Sequence, residues 1–168
     1  MSEAALYLVM RVDGEAVGLP VLQVREILEP EAVTRVPGAA PALQGVINLR
    51  GSVVPMVDLA AALALRAPNV SKARCVALLE TGMDGDRILI GLAADSVEEV
   101  VAIMPADIGP APSFGSRVAP RHLVGLARTG GTFVLLLDVA RIVETVLGTT
   151  PAPGAEATGT TAAVAPQL

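Results

Sequence analysis

The chain has 168 residues, of which 52% are hydrophobic and only 2% aromatic, so a core of Val, Leu, Ile and Ala is expected and a β-rich fold is favoured. Twelve basic and seventeen acidic residues give a net charge of -5, which disfavours nucleic acid and anionic lipid surfaces as partners. The amino terminus lacks the basic start of a signal peptide, and no apolar run approaches the roughly 20 residues that span a bilayer, so a cytoplasmic protein without membrane insertion is predicted.

Seven short apolar runs, each bounded by turn residues, predict strands. In chain order they are Leu6 to Val12, Ala16 to Leu19, Val46 to Leu49, Val53 to Val57, Arg74 to Glu80, Arg87 to Ala93 and Phe133 to Leu137. Tight turns are predicted at Asp13-Gly14 and Asp84-Gly85, because Asp-Gly is typical of two-residue hairpin loops. Many short strands joined by tight turns favour an all-β fold of two small barrels.

Two segments predict short helices, Leu59 to Leu65 and Val139 to Leu147. Asp58 and Asp138 immediately precede them. Both suit the N-cap position, since a carboxylate there accepts hydrogen bonds from the free amides of the first turn.

The chain contains an internal repeat. Five residues of one block recur at an offset of 73, with Gly18, Leu19, Val24, Glu26 and Ile27 matched by Gly91, Leu92, Val97, Glu99 and Val100. Five residues of a second block recur at an offset of 80, with Gly45, Gly51, Val54, Asp58 and Ala60 matched by Gly125, Gly131, Val134, Asp138 and Ala140. The additional residues of the second half fall within Pro105 to Pro120, a Pro- and Gly-rich stretch that predicts a surface loop. One structural unit is therefore expected to be built twice.

One domain is expected over residues 1–148, made of two intertwined barrel subdomains at approximately 15–70 and 71–140 that the terminal segments complete. Residues 149–168 consist mainly of Thr, Ala, Pro and Gly. Such a segment has too little apolar surface to offset its ordering entropy, so a disordered tail is expected.

Few residues could carry catalysis or hold a metal. With one His and one Cys the usual Cys-His zinc site cannot form, and no phosphate-binding loop is present. Cys75 lies in an apolar run and is expected to be a buried strand residue, whereas His122 is expected at the surface at the start of a strand. Glu98 and Glu99 would point to opposite faces of a strand, which disfavours an acid-base pair. We therefore predict a non-enzymatic protein with no catalytic residue, no metal and no cofactor.

The block from Gly45 to Leu59, GVINLRGSVVPMVDL, contains two apolar strands around a turn that holds Asn48, Arg50 and Gly51. At this hairpin tip Arg50 offers planar donors to carboxylate or backbone acceptors of a partner protein. A merely solvated turn arginine is an equal alternative from the residues alone. Phe114, one of two Phe residues, lies in a Pro-rich loop and could either pack on a barrel or anchor a partner.

The same block resembles the signature of the CheW family of chemotaxis coupling proteins, and the resemblance extends over roughly Leu6 to Leu147. Supporting stretches follow in the family's order at Val24 to Ile27, Thr34 to Pro37, Ala94 to Val97, Ile108 to Phe114 and His122 to Leu126. The resemblance implies two pseudo-symmetric SH3-like five-stranded β-barrels with short helices. It further implies an adaptor that couples the cytoplasmic tips of chemoreceptors to the regulatory domain of a CheA-type histidine kinase, with other adaptor copies as candidate partners in array rings.

The resemblance also implies the sites. The residues that match receptor-binding positions are Val24, Glu26, Gly45, Asn48, Arg50 and Val100. Ser113 and Phe114 match a contact to the kinase and the ring. Ser113 stands where an acidic residue is common and His122 where a Tyr is common, so the pathway that the adaptor serves is left open. The protein is expected to be cytoplasmic and recruited to membrane-associated receptor arrays.

Three alternatives remain. A CheW-like adaptor could serve a non-flagellar chemosensory pathway, in pilus motility, development or second-messenger signalling. The chain could instead be part of a larger kinase or of an adaptor-receiver fusion. A small ligand-binding or acid-base barrel could use Glu26, Glu99 and His122, and this hypothesis predicts a deep apolar pocket where polar groups converge.

Overall fold

The computed structural model describes residues 3–30, 32–66, 74–83, 85–112 and 116–148. Within these ranges the regular structure consists mainly of strands, with two short α-helices. The bounds of the strands are β1 (Ala5–Val12), β2 (Glu15–Pro20), β3 (Val24–Leu28), β4 (Leu43–Leu49), β5 (Ser52–Asp58), β6 (Cys75–Met83), β7 (Asp86–Ala94), β8 (Ser96–Ile103), β9 (Ile108–Gly109), β10 (Leu123–Thr129) and β11 (Thr132–Leu137). The helices are α1 (Leu59–Ala62) and α2 (Val139–Leu147). The predicted all-β class is confirmed.

The strands form two sheets. Sheet A has the order β8-β1-β2-β11-β10-β9, and sheet B has the order β3-β6-β7-β5-β4. Both sheets follow one plan, in which two strands of one repeat join the later strands of the other. Sheet A combines β1 and β2 with β8 to β11, and sheet B combines β6 and β7 with β3 to β5. The sixth strand of sheet A, β9, is a two-residue pairing with β10, and its counterpart in sheet B is the single bridge between Thr34 and Val46.

Because of this exchange, the sheets divide the chain differently from the expected ranges of about 15–70 and 71–140. Residues 24–94 supply sheet B, and residues 5–20 together with 96–137 supply sheet A. The repeat boundary near residue 70 thus falls inside sheet B, because β6 and β7 of the second repeat pair with strands of the first. A boundary read from a sequence repeat marks the duplicated segment, whereas strand pairing decides which segments share a sheet.

The exchanged strands meet in two parallel pairs. Gly91 on β7 lies beside Met56 on β5, and Gly18 on β2 lies beside Leu136 on β11. A Cβ atom added at Gly91 would lie 2.5 Å from the Met56 sulfur, and one added at Gly18 would lie 2.9 Å from a Leu136 methyl carbon. The repeated glycine therefore leaves room for a large apolar side chain of the partner strand at each junction.

Among the residues that the structure describes, the core consists of three clusters. One cluster lies within sheet A, and its members are Val9, Ala16, Ile103, Ala127, Val134 and Leu136. A second lies within sheet B, and its members are Ile47, Val54, Met56, Val76, Leu78 and Ala93. The largest cluster is shared, since it contains residues of both sheets and of both helices, among them Leu8, Met10, Leu79, Leu92 and Ile142. Neighbouring residues of a central strand, such as Val9 and Met10, thus belong to different clusters, so both faces of that strand are buried. Burial of both faces explains the continuous apolar runs of the sequence.

Both helices begin as predicted. The Asp58 carboxylate accepts a hydrogen bond from the Ala61 amide at 3.5 Å, and the Asp138 carboxylate accepts one from the Arg141 amide at 3.2 Å. The helix α1 is shorter than the predicted range because Ala64 adopts a left-handed conformation with a φ of 58°. The Leu65 amide then bonds the Ala60 carbonyl at 2.8 Å and closes the helix end.

Other predicted elements differ from the structure. The strands β3, β8 and β10 were absent from the predicted set, and β10 follows a short 3₁₀ turn at Pro120–His122. The predicted loop from Pro105 to Pro120 contains a second 3₁₀ turn and the strand β9. The turn at Asp13-Gly14 is confirmed, whereas Asp84 of the other predicted turn lies outside the described residues.

An ion-pair network links the two sheets at their junction, and the sequence did not indicate it. Arg66 follows α1, and its side chain is only 9% exposed. Its guanidinium donates to both oxygens of Asp95, at 2.7 and 3.2 Å, and to Asp13 at 3.1 Å. Asp95 also accepts the Asp13 amide at 2.8 Å, and Arg117 donates to the Asp13 carbonyl at 3.0 Å. Burial pulls the pKa of Asp95 upward, but the hydrogen bonds from Arg66 and the Asp13 amide outweigh it and hold that pKa below its usual value.

We predict that Arg66→Met destabilises the protein by about 2 to 4 kcal/mol at pH 7, because two nearby carboxylates lose their shared counter-ion. The pKa of Asp95 is lowered in the folded state, so its stabilising effect is present above the unfolded pKa of about 3.9 and is lost as the pH falls through the folded pKa. Urea unfolding of the wild type and the variant from pH 7 to 2 should therefore give curves that converge at low pH. The control is Arg87→Met, which removes an arginine with a 67% exposed side chain from its pair with Glu80 and should change stability far less. Equal losses in the two variants would contradict the assignment.

Candidate functional site

Glu26 and Arg50, both singled out by the sequence, form an ion pair on sheet B. Glu26 lies on the edge strand β3, and Arg50 lies at the tip of the β4–β5 hairpin. The Arg50 side chain is 69% exposed and that of Glu26 is 37% exposed. The pair is therefore accessible to a partner, and its contribution to folding stability is expected to be small.

The hairpin holds Arg50 in an unusual conformation. Arg50 and Gly51 have φ angles of 50° and 89°, which is the pattern of a two-residue type I′ turn. Asn48 supports the turn, since its side-chain oxygen accepts the Gly51 amide at 3.1 Å. Glycine, Asn or Asp is the usual residue at the position of Arg50, because a left-handed conformation costs other residues roughly 1–2 kcal/mol. The arginine at this position therefore carries a backbone cost that a glycine would avoid.

A β-bulge places Arg25 and Glu26 on one side of the sheet. The pairing of β3 with β6 shifts register between Val24 and Glu26, so that Arg25 is the additional residue. Both side chains then line a shallow groove of about 340 Å³, here called the Glu26 groove. Its lining residues are Arg25, Glu26, Leu49, Arg50, Ser52, Leu78 and Leu89.

Further charges lie beside the Glu26 groove. Arg25 contacts Glu80 at 3.2 Å, and Arg87 donates to the same carboxylate at 3.2 Å. The hydrogen bond from Arg87 and the charges of both arginines lower the pKa of Glu80 below its usual value. Glu80 thus stays ionised and pairs with Arg25, as Glu26 pairs with Arg50, and Arg50 is the more exposed of the two arginines that line the groove.

The remaining receptor-site candidates lie elsewhere. Val24 is half-buried and packs against the shared core. Val100 is 53% exposed, but it lies on β8 at the edge of sheet A. Gly45 is buried in β4 at a second register shift, and a Cβ atom there would lie 2.2 Å from the Thr34 carbonyl oxygen. Ser113 and Phe114 lie outside the described residues.

Gly45→Ala is predicted to destabilise the protein by about 3 kcal/mol or more, because the added methyl group overlaps backbone atoms at a φ of 150°. Thermal unfolding should show the loss directly. The control is Gly82→Ala in β6, where the added atom meets its nearest neighbour at 3.8 Å and stability should stay within about 0.5 kcal/mol. If Gly45→Ala melted like the wild type, Gly45 would have to act through a partner instead.

The duplication creates a second groove on sheet A, here called the Glu99 groove. Its lining residues are Val9, Arg11, Ala16, Glu98, Glu99, Val101, Thr129, Gly130, Thr132 and Val134. Every residue that lines the Glu26 groove has a repeat counterpart in the lining of the Glu99 groove. The pairs are Arg25 with Glu98, Glu26 with Glu99, Leu49 with Thr129, Arg50 with Gly130, Ser52 with Thr132, Leu78 with Val9 and Leu89 with Ala16. The strand pairing supports the match of Val9 with Leu78. Val9 on β1 lies opposite Gly18 on β2, and Leu78 on β6 lies opposite Gly91 on β7.

The Glu99 groove corrects the expectation that Glu98 and Glu99 point to opposite faces. The pairing of β8 with β1 shifts register between Val97 and Glu99, and Glu98 is the bulged residue. Both carboxylates consequently line the same groove. A strict two-residue period fails at a bulge, and the sequence alone gave no sign of this one.

With both grooves described, the comparison with known proteins is informative. The family model described as CheW-like domain matches residues 6–147. The chain belongs to the CheW-like family. It is 29% identical to the chemotaxis protein CheW of Klebsiella aerogenes, over 82% of this chain and 81% of that protein. It is 31% identical to the protein FrzA of Myxococcus xanthus, over 80% of this chain and 82% of that protein.

The fold comparison agrees with the sequence comparison. The crystal structure of the scaffolding protein TtCheW from Thermoanaerobacter tengcongensis matches with a TM-score of 0.72 and 25% identity, over 86% of this chain and 89% of that one. The predicted resemblance is therefore confirmed, together with the expected pair of SH3-like β-subdomains. CheW-like proteins are non-catalytic adaptors. No helix within the described ranges of this CheW-like chain has the length and apolar character to cross a bilayer.

The alternative of an acid-base barrel in this CheW-like fold receives no support. Glu26 lines one groove and Glu99 lines the other, on different sheets. His122 is absent from the lining of both grooves. The three residues therefore do not converge on either groove. Cys75 lies on β6 as predicted but is half-buried, and burial raises the pKa of its thiol, so it is not activated as a nucleophile.

His122 is buried, which corrects the expectation of a surface residue. It is 4% exposed, and neither ring nitrogen has a hydrogen-bond partner in the described structure. Its carbonyl accepts the Asp138 amide at 2.9 Å, as the carbonyl of Ala42 accepts the Asp58 amide at 2.8 Å. The offset of 80 residues thus matches His122 to the buried Ala42, and extending the repeat to this position would have predicted the burial. Burial lowers the pKa of His122, and the charge of Arg121 lowers it further.

The lowered pKa of His122 predicts a pH-dependent stability. Between the unfolded pKa near 6.5 and the folded pKa, only the unfolded chain takes up the proton, so the free energy of unfolding should fall with decreasing pH by up to about 1.4 kcal/mol per pH unit. His122→Leu should remove this slope between pH 7 and 5, because the chain has one His. It should also equal or exceed the wild-type stability at pH 5, since an apolar side chain of similar volume replaces an unpaired polar ring. Identical slopes in urea unfolding of both proteins would show that His122 is not responsible.

Proposed function

We propose that the protein is a chemotaxis signal-transduction adaptor that couples the cytoplasmic tips of chemoreceptors to a CheA-type histidine kinase. The observation that carries the proposal is the exposed Arg50–Glu26 pair on a rigid type I′ turn, within a chain that belongs to the CheW-like family. The names of its relatives favour chemotaxis over other chemosensory pathways. In this proposal the protein has no cofactor, carries out no catalysis and is recruited from the cytoplasm to membrane-associated arrays.

The receptor contact is proposed to centre on the Glu26 groove. Arg50 supplies a guanidinium at its rim, Glu26 holds that guanidinium in place, and Asn48 maintains the turn. Leu49, Leu78 and Leu89 contribute apolar surface to the same groove. A charged rim around an apolar floor suits a helical protein partner whose surface carries both carboxylates and aliphatic side chains. Val24 and Gly45 would support this surface from within the fold, and Val100 would extend the contact to sheet A.

The mechanism follows from rigidity. A scaffold transmits a conformational bias only if its two contact surfaces keep a fixed relation. The shared core and the Arg66 network join the two sheets here, so a partner on one sheet is held in a defined position relative to a partner on the other. The second contact, to the kinase and to ring neighbours, is proposed to include Ser113 and Phe114, as the family resemblance implies.

Arg50→Gly tests the proposal without disturbing the fold. Glycine adopts the φ of 50° without strain, and the repeat counterpart of Arg50 is itself a glycine, Gly130, with a φ of 57°. The melting temperature should therefore correspond to a stability within about 1 kcal/mol of wild type. Affinity for a receptor cytoplasmic fragment, measured by calorimetry, should fall at least tenfold.

The matched control is Arg141→Gln on α2, which removes the same charge from a side chain that is 65% exposed and distant in sequence from the hairpin. It should bind the receptor fragment like the wild type. Co-sedimentation with receptor fragment and kinase, with kinase autophosphorylation followed in parallel, then tests the adaptor role itself. Failure of the wild-type chain to co-sediment with the receptors and kinases of its own genome would refute the proposal.

A further inference from the structure

The two grooves have the same framework but opposite charge. The Glu26 groove is lined by two arginines and one glutamate, whereas the Glu99 groove is lined by one arginine and two glutamates. Two repeat positions make the Glu99 groove more negative, since Arg25 corresponds to Glu98 and Arg50 corresponds to Gly130, and Arg11 offsets part of this change. The duplicated surface has thus diverged in its electrostatics while the backbone was retained.

In the Glu26 groove the glutamate is neutralised from within the chain, by Arg50. In the Glu99 groove the equivalent glutamate has no such partner. Glu98 pairs with Arg11 at 3.0 Å, but no hydrogen bond or ion pair to Glu99 occurs among the described residues. Glu99 is an exposed carboxylate on the edge strand β8, beside a turn that carries glycine where its counterpart carries arginine.

The geometry leaves space for an incoming side chain. Gly130 has a φ of 57° and Arg50 one of 50°, so the two turns present their side-chain positions in the same way. A Cβ atom placed at Gly130 has nothing within 4 Å. The floor of the groove is apolar, because Val9, Ala16 and Val134 are at most 5% exposed. An arginine or lysine suits this environment, since its methylene groups pack on apolar surface while its charge reaches the carboxylate.

We propose that the Glu99 groove is a docking site for an arginine or lysine side chain of the kinase partner. This side chain pairs with Glu99 as Arg50 pairs with Glu26. The inference rests on the proposed adaptor function. An adaptor must hold both partners at once, and the receptor is assigned to the Glu26 groove of sheet B, with Val100 on β8 at the margin of that contact. The negatively charged Glu99 groove suits a basic surface of the second partner and would add to the proposed contact at Ser113 and Phe114.

Two variants test the docking site from opposite directions. Glu99→Gln removes the carboxylate charge and keeps the side-chain shape. Gly130→Arg supplies an arginine from within the chain, and this arginine should form an ion pair with Glu99, as Arg50 does with Glu26. The control is Gly130→Asn, because asparagine tolerates the left-handed conformation and adds no charge. Melting temperatures check that each variant is folded.

The readout is the affinity for the regulatory domain of the kinase and, separately, for the receptor fragment. We expect about a tenfold loss of kinase affinity in Glu99→Gln and Gly130→Arg, no loss in Gly130→Asn, and unchanged receptor affinity in all three. Wild-type kinase affinity should also weaken with added salt more steeply than that of Glu99→Gln.

Each other outcome contradicts the inference. Unchanged kinase affinity in Glu99→Gln would overturn the docking site while the adaptor function stands. Loss of receptor affinity instead of kinase affinity would show that the kinase is the wrong occupant. If the wild-type chain binds no kinase at all, the proposed function fails first and this inference fails with it.

Discussion

The fold depends on the exchange of strands between the two halves of the chain. Neither repeat completes a sheet alone, because β2 of the first half pairs in parallel with β11 of the second, and β7 of the second pairs with β5 of the first. Each junction requires a glycine opposite a large apolar side chain, Gly18 against Leu136 and Gly91 against Met56. The shared core buries one face of the central strands and the cluster within each sheet buries the other, so the two sheets are expected to fold as one cooperative unit.

This construction also explains how one framework provides two different surfaces. The edge strands β3 and β8 each carry a bulge, at Arg25 and Glu98, and each bulge turns two successive side chains into a groove. Bulges also twist and blunt an edge, which limits unwanted pairing with other strands. The backbone of each groove is fixed by the duplicated fold, whereas side chains at the rim are free to change. The two grooves therefore share one backbone plan and differ in the charges at their rims.

The Arg66 network and the buried His122 show how the polar groups of this fold divide between stability and recognition. Arg66 joins Asp13 and Asp95 where the chain passes between the sheets, and the three groups satisfy one another. The His122 ring is buried next to α2 and has no hydrogen-bond partner among the described residues, so packing alone holds the imidazole in place. The exposed pair of Arg50 and Glu26 is expected to contribute little to folding, and its proposed role is contact with a partner.

The all-β class, the duplication, both helix caps and the hairpin that carries Arg50 could be predicted from the sequence, because these features depend on local turn chemistry, on apolar runs and on repeated residues. The sequence also identified the family through the block from Gly45 to Leu59. The tertiary structure alone decided which strands share a sheet, since pairing across the repeat boundary leaves no local pattern. It likewise decided that Glu98 and Glu99 line one groove, because a bulge is set by the neighbouring strand. The Glu99 groove became visible only when residues far apart in the chain were brought together by the same pairing that built the Glu26 groove.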